Sequence, residues 1–231
     1  MINDKISLYF ALFSHELKSP LNTIINSAKL IELNIHNSDE TKIKRYLSLI
    51  LSSALYLKTF IQNTIEFGRI SFDREELYIE EFDIIEVLYE IVDLTKIMIE
   101  EKNIEVEFNP SQKEFYITSD PIKIRQILLN ISSNAAKFTK EGYIIFTIDE
   151  KKDGVLINVK DTGCGIKQEQ LDKIFAPYCS LEKRYETLCE SSGLGLFITK
   201  QLLFFIGGDI SIKSEYYKGT EVEIFIPSKR R

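Results

Sequence analysis

Two runs of apolar residues at alternating spacings of three and four constrain the fold of the first third of this chain. The runs cover residues 6–35 and 43–65. Such spacing places apolar side chains on one face of a helix and is typical of helix bundles. Residues 37–39, Asn-Ser-Asp, separate the runs as turn and cap residues. Because a lone helical hairpin buries too little apolar surface to be stable by itself, we expect two hairpins to pair as a four-helix bundle in a homodimer.

Charge and glycine content change after this region. Residues 1–70 carry eight Lys/Arg and six Asp/Glu, whereas the remainder carries 21 and 29. Glycine is concentrated in the second region, since Gly68 is the only glycine before Gly142. We therefore predict two domains, residues 1–70 and residues 71–231.

The composition excludes several classes of protein. A net charge of −6 argues against nucleic acid as the main partner. No apolar run approaches the roughly 20 residues of a membrane-spanning helix, and no signal-peptide pattern follows Met1. Three cysteines without a metal-ligand spacing indicate a reducing compartment. We expect no membrane contact within this chain and a cytoplasmic location.

The second region alternates between strand-like and helix-like patterns. Strands are predicted at 77–82, 104–108, 115–118, 143–149, 155–160, 209–214 and 220–226, and helices at 84–102, 121–137, 166–174 and 194–206. Because the last strands can pair as hairpins, a mixed, largely antiparallel sheet is favoured over a doubly wound one. The predicted fold class is therefore α+β, a helical hairpin followed by an α/β sandwich.

One polar face stands out on the predicted helix 121–137. Asn130, Asn134 and Lys137 follow one another at spacings of four and three, which places them on one side, opposite the apolar stripe. An amide oxygen is a suitable hard ligand for Mg²⁺, and a lysine ammonium suits phosphate. A solvated polar face accounts for the same pattern.

Two glycine-rich segments suit the two ends of a nucleotide. Asp161, at the end of a predicted strand, can accept a hydrogen bond from an exocyclic amine, and Gly163 and Gly165 let the backbone approach a planar base. Residues 191–196 begin a predicted helix, whose N-terminus favours phosphate. The polar stretch 179–190 between them is a candidate lid. Taken singly, each segment is also compatible with an ordinary turn or loop.

His15 is expected to face outward from the first helix. It lies two residues from Phe13 and from Leu17, both members of the apolar stripe, so it points away from that stripe. Pro20 cannot donate to the carbonyl of Glu16, which loosens the helix beside the histidine. On the helix alone, an ordinary surface histidine near an incidental kink is the favoured interpretation of this position.

Six motifs, in one order, resemble the catalytic core of the bacterial sensor histidine kinases. They are similar to the phosphoacceptor box (13–21), the N box (130–139), the first glycine box (161–166), the phenylalanine box (175–178), the second glycine box (193–196) and a Gly-Thr pair (219–220). The order matches the family and covers nearly the whole chain. The resemblance implies a dimerisation and phosphotransfer domain at 1–70 and a Bergerat-type ATP-binding domain at 71–231.

The resemblance also implies a reaction. His15 would take the γ-phosphoryl group of ATP and pass it to the aspartate of a response-regulator receiver domain. Glu16 would orient and deprotonate the imidazole, and Asn134 would bind Mg²⁺. Ser19 stands where the family's phosphatase motif usually has Thr or Asn. The matched boxes further imply nucleotide-binding roles for Asn130, Lys137, Asp161, Gly163, Gly165, Phe175, Tyr178, Gly193, Leu194, Gly195 and Thr220.

Two alternatives remain open from the sequence. One is a catalytically idle relative that binds ATP and signals by docking. The other is a non-kinase ATPase of the same superfold, such as a chaperone or a DNA-repair clamp, although those lack the histidine box. The basic stretch 41–65, which holds no Asp or Glu, suits an acidic receiver domain or a solvated face. We also expect this chain to be part of a longer sensor protein, of a kind that is often membrane-anchored.

Overall fold

The computed structural model describes residues 2–34, 40–71, 77–100, 102–176 and 193–228. The backbone divides into two compact units, Met1–Gly68 and Arg69–Arg231. The domain boundary predicted at residue 70 stays a prediction.

The first unit is helical. It contains α1 (Ile2–Asn34), which continues through Pro20, and α2 (Glu40–Ser71). Glu40 lies in the first turn of α2, where an acidic side chain complements the helix dipole, and it pairs with Lys44 over 2.9 Å. The turn predicted at 37–39 lies outside the described residues.

The apolar stripe of α2 has two lines of different exposure. Ile43, Ile50 and Leu57, seven residues apart, are half-buried, whereas Leu47 and Ile61, also on a seven-residue repeat, are 52% and 46% exposed. Exposed leucine and isoleucine at heptad positions indicate a face that is covered in an assembly.

The second unit alternates strands and helices. Its elements are β1 (Glu80–Asp83), α3 (Ile84–Met98), β2 (Asn103–Phe108), β3 (Tyr116–Ser119), α4 (Pro121–Phe138), β4 (Glu141–Lys151), β5 (Gly154–Asp161), α5 (Gln168–Leu171), α6 (Gly195–Ile206), β6 (Asp209–Glu215) and β7 (Gly219–Pro227). Strands β1 and β3 pair antiparallel, and a five-stranded sheet has the order β2-β4-β5-β7-β6. Within that sheet β2 and β4 are parallel and all other pairs are antiparallel. The predicted fold class, a helical region followed by an α/β domain with a mixed sheet, is confirmed.

The core lies between the five-stranded sheet and three helices. Alternate residues of the central strands are buried, among them Phe146 and Ile157, while their neighbours are more exposed. Leu128 of α4 and Leu202 of α6 are fully buried on the helical side. Helix α4 contacts both α3 and α6, so it is the central helix of this layer.

Aspartates begin two of these helices. Asp120 accepts hydrogen bonds from the backbone N–H of Ile122 and Lys123, both over 3.0 Å, with Pro121 in the first turn of α4. Asp83 caps α3 in the same way through the N–H of Ile85. The helix start predicted at Asp120-Pro121 is therefore confirmed.

Three predicted boundaries differ from the observed ones by at least three residues, because long-range contacts or burial in the core override the local pattern. The strand predicted from 77 begins at Glu80, since the N–H of Tyr78 donates to the Asp120 carboxylate over 2.9 Å. The helix predicted to 102 ends at Met98, where a turn buries Ile99. The helix predicted at 166–174 is only Gln168–Leu171, because the N–H of Ile166 donates to Ser214 instead.

Candidate functional site

A buried carboxylate closes strand β5. Asp161 is 8% exposed and lies directly opposite Thr220 of β7. The backbone N–H of Gly163 donates to its Oδ1 over 2.7 Å, and the N–H of Thr220 donates to the same carboxyl group. Burial raises the pKa of Asp161 from 3.8 to about 6, and the two backbone hydrogen bonds partly oppose that rise. The result is an acceptor group that is fixed in orientation and poorly hydrated.

The glycines after Asp161 are required by close backbone packing. A Cβ on Gly163 would lie 2.7 Å from the carbonyl oxygen of Phe138, at the end of α4. Gly165 has φ +64°, and a Cβ there would overlap the carbonyl of Glu215. The sequence predicted that these glycines let the backbone approach a ligand. In the structure they let the loop approach α4 and the β6–β7 turn.

The polar face predicted on α4 is divided in the structure. Asn130 is 9% exposed, and its Nδ2 donates to the carbonyl of Gly195 over 3.3 Å and to Oγ1 of Thr199 over 3.4 Å. Asn130 therefore packs against α6 instead of facing solvent opposite the apolar stripe. Asn134 and Lys137 follow on the same helix and are half-buried. The Nζ of Lys137 lies 5.5 Å from the ring centroid of Phe138.

The start of α6 suits an anion. Leu194 is its N-cap residue, is fully buried, and makes no side-chain capping hydrogen bond. Gly193, with φ +63°, turns the chain into the helix. The first turn of a helix directs backbone N–H groups outward along the axis, where they favour phosphate. Asn130 of α4 donates to the carbonyl of Gly195 in this turn. The start of α6, which suits phosphate, is therefore connected to the helix that carries Asn130, Asn134 and Lys137.

The remaining predicted residues are only partly described. Phe175 is half-buried, and the Nζ of Lys200 lies 4.9 Å from its ring centroid. Tyr178 and the candidate lid at 179–190 lie outside the described residues. His15 and Glu16 belong to α1, and their side chains are likewise outside the description. Ser19 is half-buried, and its carbonyl accepts a hydrogen bond from Thr23.

Sequence reasoning missed Ser214. Its Oγ accepts the N–H of Ile166 over 2.8 Å and donates to the carbonyl of Gly219 over 2.8 Å. It also lies 3.0 Å from Oγ1 of Thr220. Ser214 therefore joins the end of the glycine loop to the strand that carries Thr220. The register between β6 and β7, which pairs Ser214 with Thr220, is the signal that identifies it.

The donor set is compatible with a phosphate-bound magnesium ion. Within the described part of the chain, no group of three or more His, Cys, Asp or Glu side chains is arranged to hold a metal. Mg²⁺ commonly retains waters and binds through one or two protein oxygens together with substrate phosphates. The amide oxygen of half-buried Asn134 suits that mode of binding.

No helix among the described residues is long and apolar enough to cross a membrane.

The fold and site together define a class of ATPase. Residues 119–230 match the family of histidine kinase-, DNA gyrase B- and HSP90-like ATPases. Residues 6–72 match the His Kinase A phospho-acceptor domain. A chain that joins these two domains in this order belongs to the histidine kinases, and the resemblance stated from the sequence motifs is confirmed.

Individual relatives agree with this assignment. A sensor-like histidine kinase of Rhizobium meliloti is 31% identical over 229 residues, which are 98% of this chain and 43% of the relative. The structure of ShkA in complex with AMPPNP is 28% identical, has a TM-score of 0.67 and covers 95% of this chain and 46% of that one. The structure of histidine kinase ThkA with response regulator TrrA shares the fold, with 24% identity, a TM-score of 0.69 and coverage of 98% and 64%. The chain spans less than half the length of the curated relatives that it matches.

Proposed function

We propose that this chain is an ATP-dependent protein-histidine kinase that phosphorylates itself on His15 and passes the phosphoryl group to an aspartate of a response regulator. It acts as a homodimer formed through α1 and α2. Because its substrate is ATP, we propose a cytoplasmic location. Because the chain spans less than half the length of its relatives, we also propose that it is part of a longer sensor protein.

The single observation that carries the ATP part of this proposal is the environment of Asp161. Asp161 is 8% exposed, two backbone N–H groups donate to its carboxylate, and the loop that follows packs on α4 through Gly163. A fixed acceptor at the end of a central strand suits the exocyclic amine of adenine. The start of α6, joined to α4 through Asn130, suits the phosphates at the other end of the nucleotide.

Within this proposal each part of the chain has one task. Asp161 binds the amine, Gly163 and Gly165 hold the loop that borders the base, and Lys137 contacts phosphate. A bound Mg²⁺ neutralises charge on the phosphates, and the amide oxygen of Asn134 would hold it. Positioning of ATP and the acceptor does most of the remaining work in phosphoryl transfer.

Other positions of the site complete the proposal. Gly193, Leu194 and Gly195 border the triphosphate at the start of α6, and Thr220 lies beside Asp161. Phe175 and Tyr178 directly precede the candidate lid in the sequence.

The acceptor histidine has a simple electrostatic requirement. Attack on phosphorus needs a neutral imidazole, and an unperturbed histidine is mostly neutral near pH 7.5 because its pKa is about 6.5. Glu16, the next residue, is proposed to orient the ring and to take its proton. Ser19 lies four residues beyond His15 on α1, a spacing that places two residues on one side of a helix. It is proposed to hydrogen-bond the water that dephosphorylates the phosphohistidine.

The test is autophosphorylation of the chain with γ-labelled ATP and Mg²⁺. We expect label on the wild-type chain that is lost in acid and retained in alkali, as expected for a phosphorus–nitrogen bond. His15→Gln and Asn134→Ala should both abolish it. His36→Gln is the matched control because the chain holds only two histidines, and it should label like the wild type.

The other outcomes separate the alternatives. ATP binding without label favours a docking module, whereas steady phosphate release that survives His15→Ala favours a non-kinase ATPase. Label that persists in His15→Gln would contradict the proposed acceptor.

A further inference from the structure

The hydroxyl of Ser214 has three hydrogen-bond partners from three parts of the site. The N–H of Ile166, at the end of the glycine loop, donates to its Oγ. The carbonyl oxygen of Gly219, in the first position of β7, accepts its proton. Oγ1 of Thr220 lies 3.0 Å away, and from that distance alone either hydroxyl can be the donor.

Counting protons determines the direction of the third bond. A serine hydroxyl has one proton and two lone pairs. The Gly219 carbonyl can only accept, so it takes the proton, and the Ile166 N–H can only donate, so it takes one lone pair. The contact with Thr220 is left to the second lone pair of Ser214. Thr220 is therefore the donor, and its own lone pairs remain as acceptors for a further partner.

The Thr220 hydroxyl lies beside a second acceptor, the Asp161 carboxylate. Thr220 is directly opposite Asp161 in the antiparallel pair of β5 and β7, and its backbone N–H donates to the Asp161 carboxyl group. Side chains of directly opposite residues project from the same face of a sheet. The Thr220 hydroxyl and the Asp161 carboxylate thus form two neighbouring acceptors, and a ligand that pairs with both must present N–H or O–H donors.

We propose that Ser214 is a positioning residue that holds the Thr220 hydroxyl as an acceptor beside Asp161, so that the site selects nucleotides whose base presents an amine there. The inference rests on the proposed function, in which ATP is the substrate. A base that presents a carbonyl, or no donor, at this edge leaves the buried Asp161 carboxylate and the half-buried Thr220 hydroxyl without a donor, and it is rejected. Without Ser214 the Thr220 hydroxyl is free to rotate and to donate its proton to the ligand, so the rejection weakens.

The test compares the affinities of ATP and of purine riboside triphosphate, which lacks the exocyclic amine, for the whole chain. Wild type should prefer ATP. In Ser214→Ala both affinities should fall, because Ile166 loses its acceptor and the loop loosens. The affinity for ATP should fall about tenfold further, as expected for one lost hydrogen bond, so the ratio of the two affinities falls by that factor.

Two further variants make the test specific. Thr220→Val should lower the ratio to a similar extent, and Ser214→Ala with Thr220→Val should lower it no further, because both changes remove one interaction. Ser211→Ala is the matched control on the same strand. Its hydroxyl donates to the carboxylate of half-buried Glu223 over 2.9 Å, away from the glycine loop. Loss of the Ser211 hydroxyl should therefore leave both affinities unchanged.

The opposing results are distinct. Equal losses of affinity for the two nucleotides in Ser214→Ala would show that Ser214 only supports the loop, and additive effects of the two changes would overturn the coupling to Thr220. Failure of the wild type to bind ATP would overturn the proposed function itself, before any variant is compared.

Discussion

The backbone N–H of Gly163 donates to Oδ1 of Asp161 over 2.7 Å, so the loop holds the carboxylate that it encloses. This contact does not offset the loss of solvent, since burial still raises the pKa of Asp161 to about 6. A group whose pKa is raised by folding destabilises the folded state once it ionises. Between about pH 4 and pH 6 the folded chain retains a proton that the unfolded chain releases, so the free energy of unfolding falls as the pH rises through this window.

Asp161→Asn should therefore stabilise the chain without nucleotide at pH 7.5, by about 1–3 kcal/mol, because an amide oxygen still accepts from the same N–H groups without a buried charge. The gain should disappear near pH 4, where the native carboxyl group is protonated. ATP affinity should fall more than tenfold, since the amide presents N–H donors to the base. Thermal unfolding at both pH values and ATP titration check this, with exposed Asp149→Asn as the control. A variant that is less stable than wild type at pH 7.5 would contradict the assignment of burial as the dominant effect.

Gly163→Ala should destabilise the second unit by about 1–3 kcal/mol. The added Cβ would lie 2.7 Å from the Phe138 carbonyl oxygen and 2.8 Å from Oδ1 of Asp161, and backbone packing prevents the loop from moving away. Gly195→Ala is the contrasting variant. The nearest atom to its Cβ, Oδ1 of Asn130, is 3.4 Å away, and alanine favours a helix, so its stability should change little. Urea unfolding of both variants compares them directly, and equal losses would refute the packing argument.

Two buried threonines should respond oppositely to the same substitution. Oγ1 of Thr139 is fully buried and has no hydrogen-bond partner among the described residues, so Thr139→Val should be neutral or stabilising by up to about 1 kcal/mol. Oγ1 of Thr199 accepts from Asn130 over 3.4 Å, so Thr199→Val leaves a buried amide N–H with one partner fewer. That variant should lose about 1 kcal/mol. Melting temperatures decide the order, and a destabilised Thr139→Val would indicate an internal water at that hydroxyl.

The exposed line of α2 should control association. Leu47→Glu combined with Ile61→Glu places charges on apolar positions that are 52% and 46% exposed in the single chain, and a dimer that covers them should dissociate. Light scattering should show a shift from dimer to monomer mass. Leu49→Glu, on the same helix but off that line, should leave the mass unchanged. A dimer that tolerates the double substitution would place the interface on another face.

Local pattern alone identified most of the elements in the second unit. Helix α4 was predicted from Asp120-Pro121 and its apolar stripe, because an N-cap and a period of 3.6 residues are properties of neighbouring residues. The β4–β5 hairpin was predicted from alternation across Lys152 and Asp153 for the same reason. The errors at the ends of β1, α3 and α5 arose where a partner more than 40 residues away, or burial in the core, determined the boundary.

The order of the motifs, the family that they resemble and the chemical groups available at the site all follow from the amino-acid sequence alone. Which of those groups come into contact depends on how the helices and strands pack. Asn130 contacts Gly195 across 65 residues, Ser214 contacts Ile166 across 48, and the Gly163 backbone packs on the end of α4. The spacing of apolar residues along the sequence predicts only which side of its own helix or strand a residue occupies. The partner of that side depends on how the elements pack, so the burial of Asn130 and the role of Ser214 emerge only when the sheet and helices are assembled.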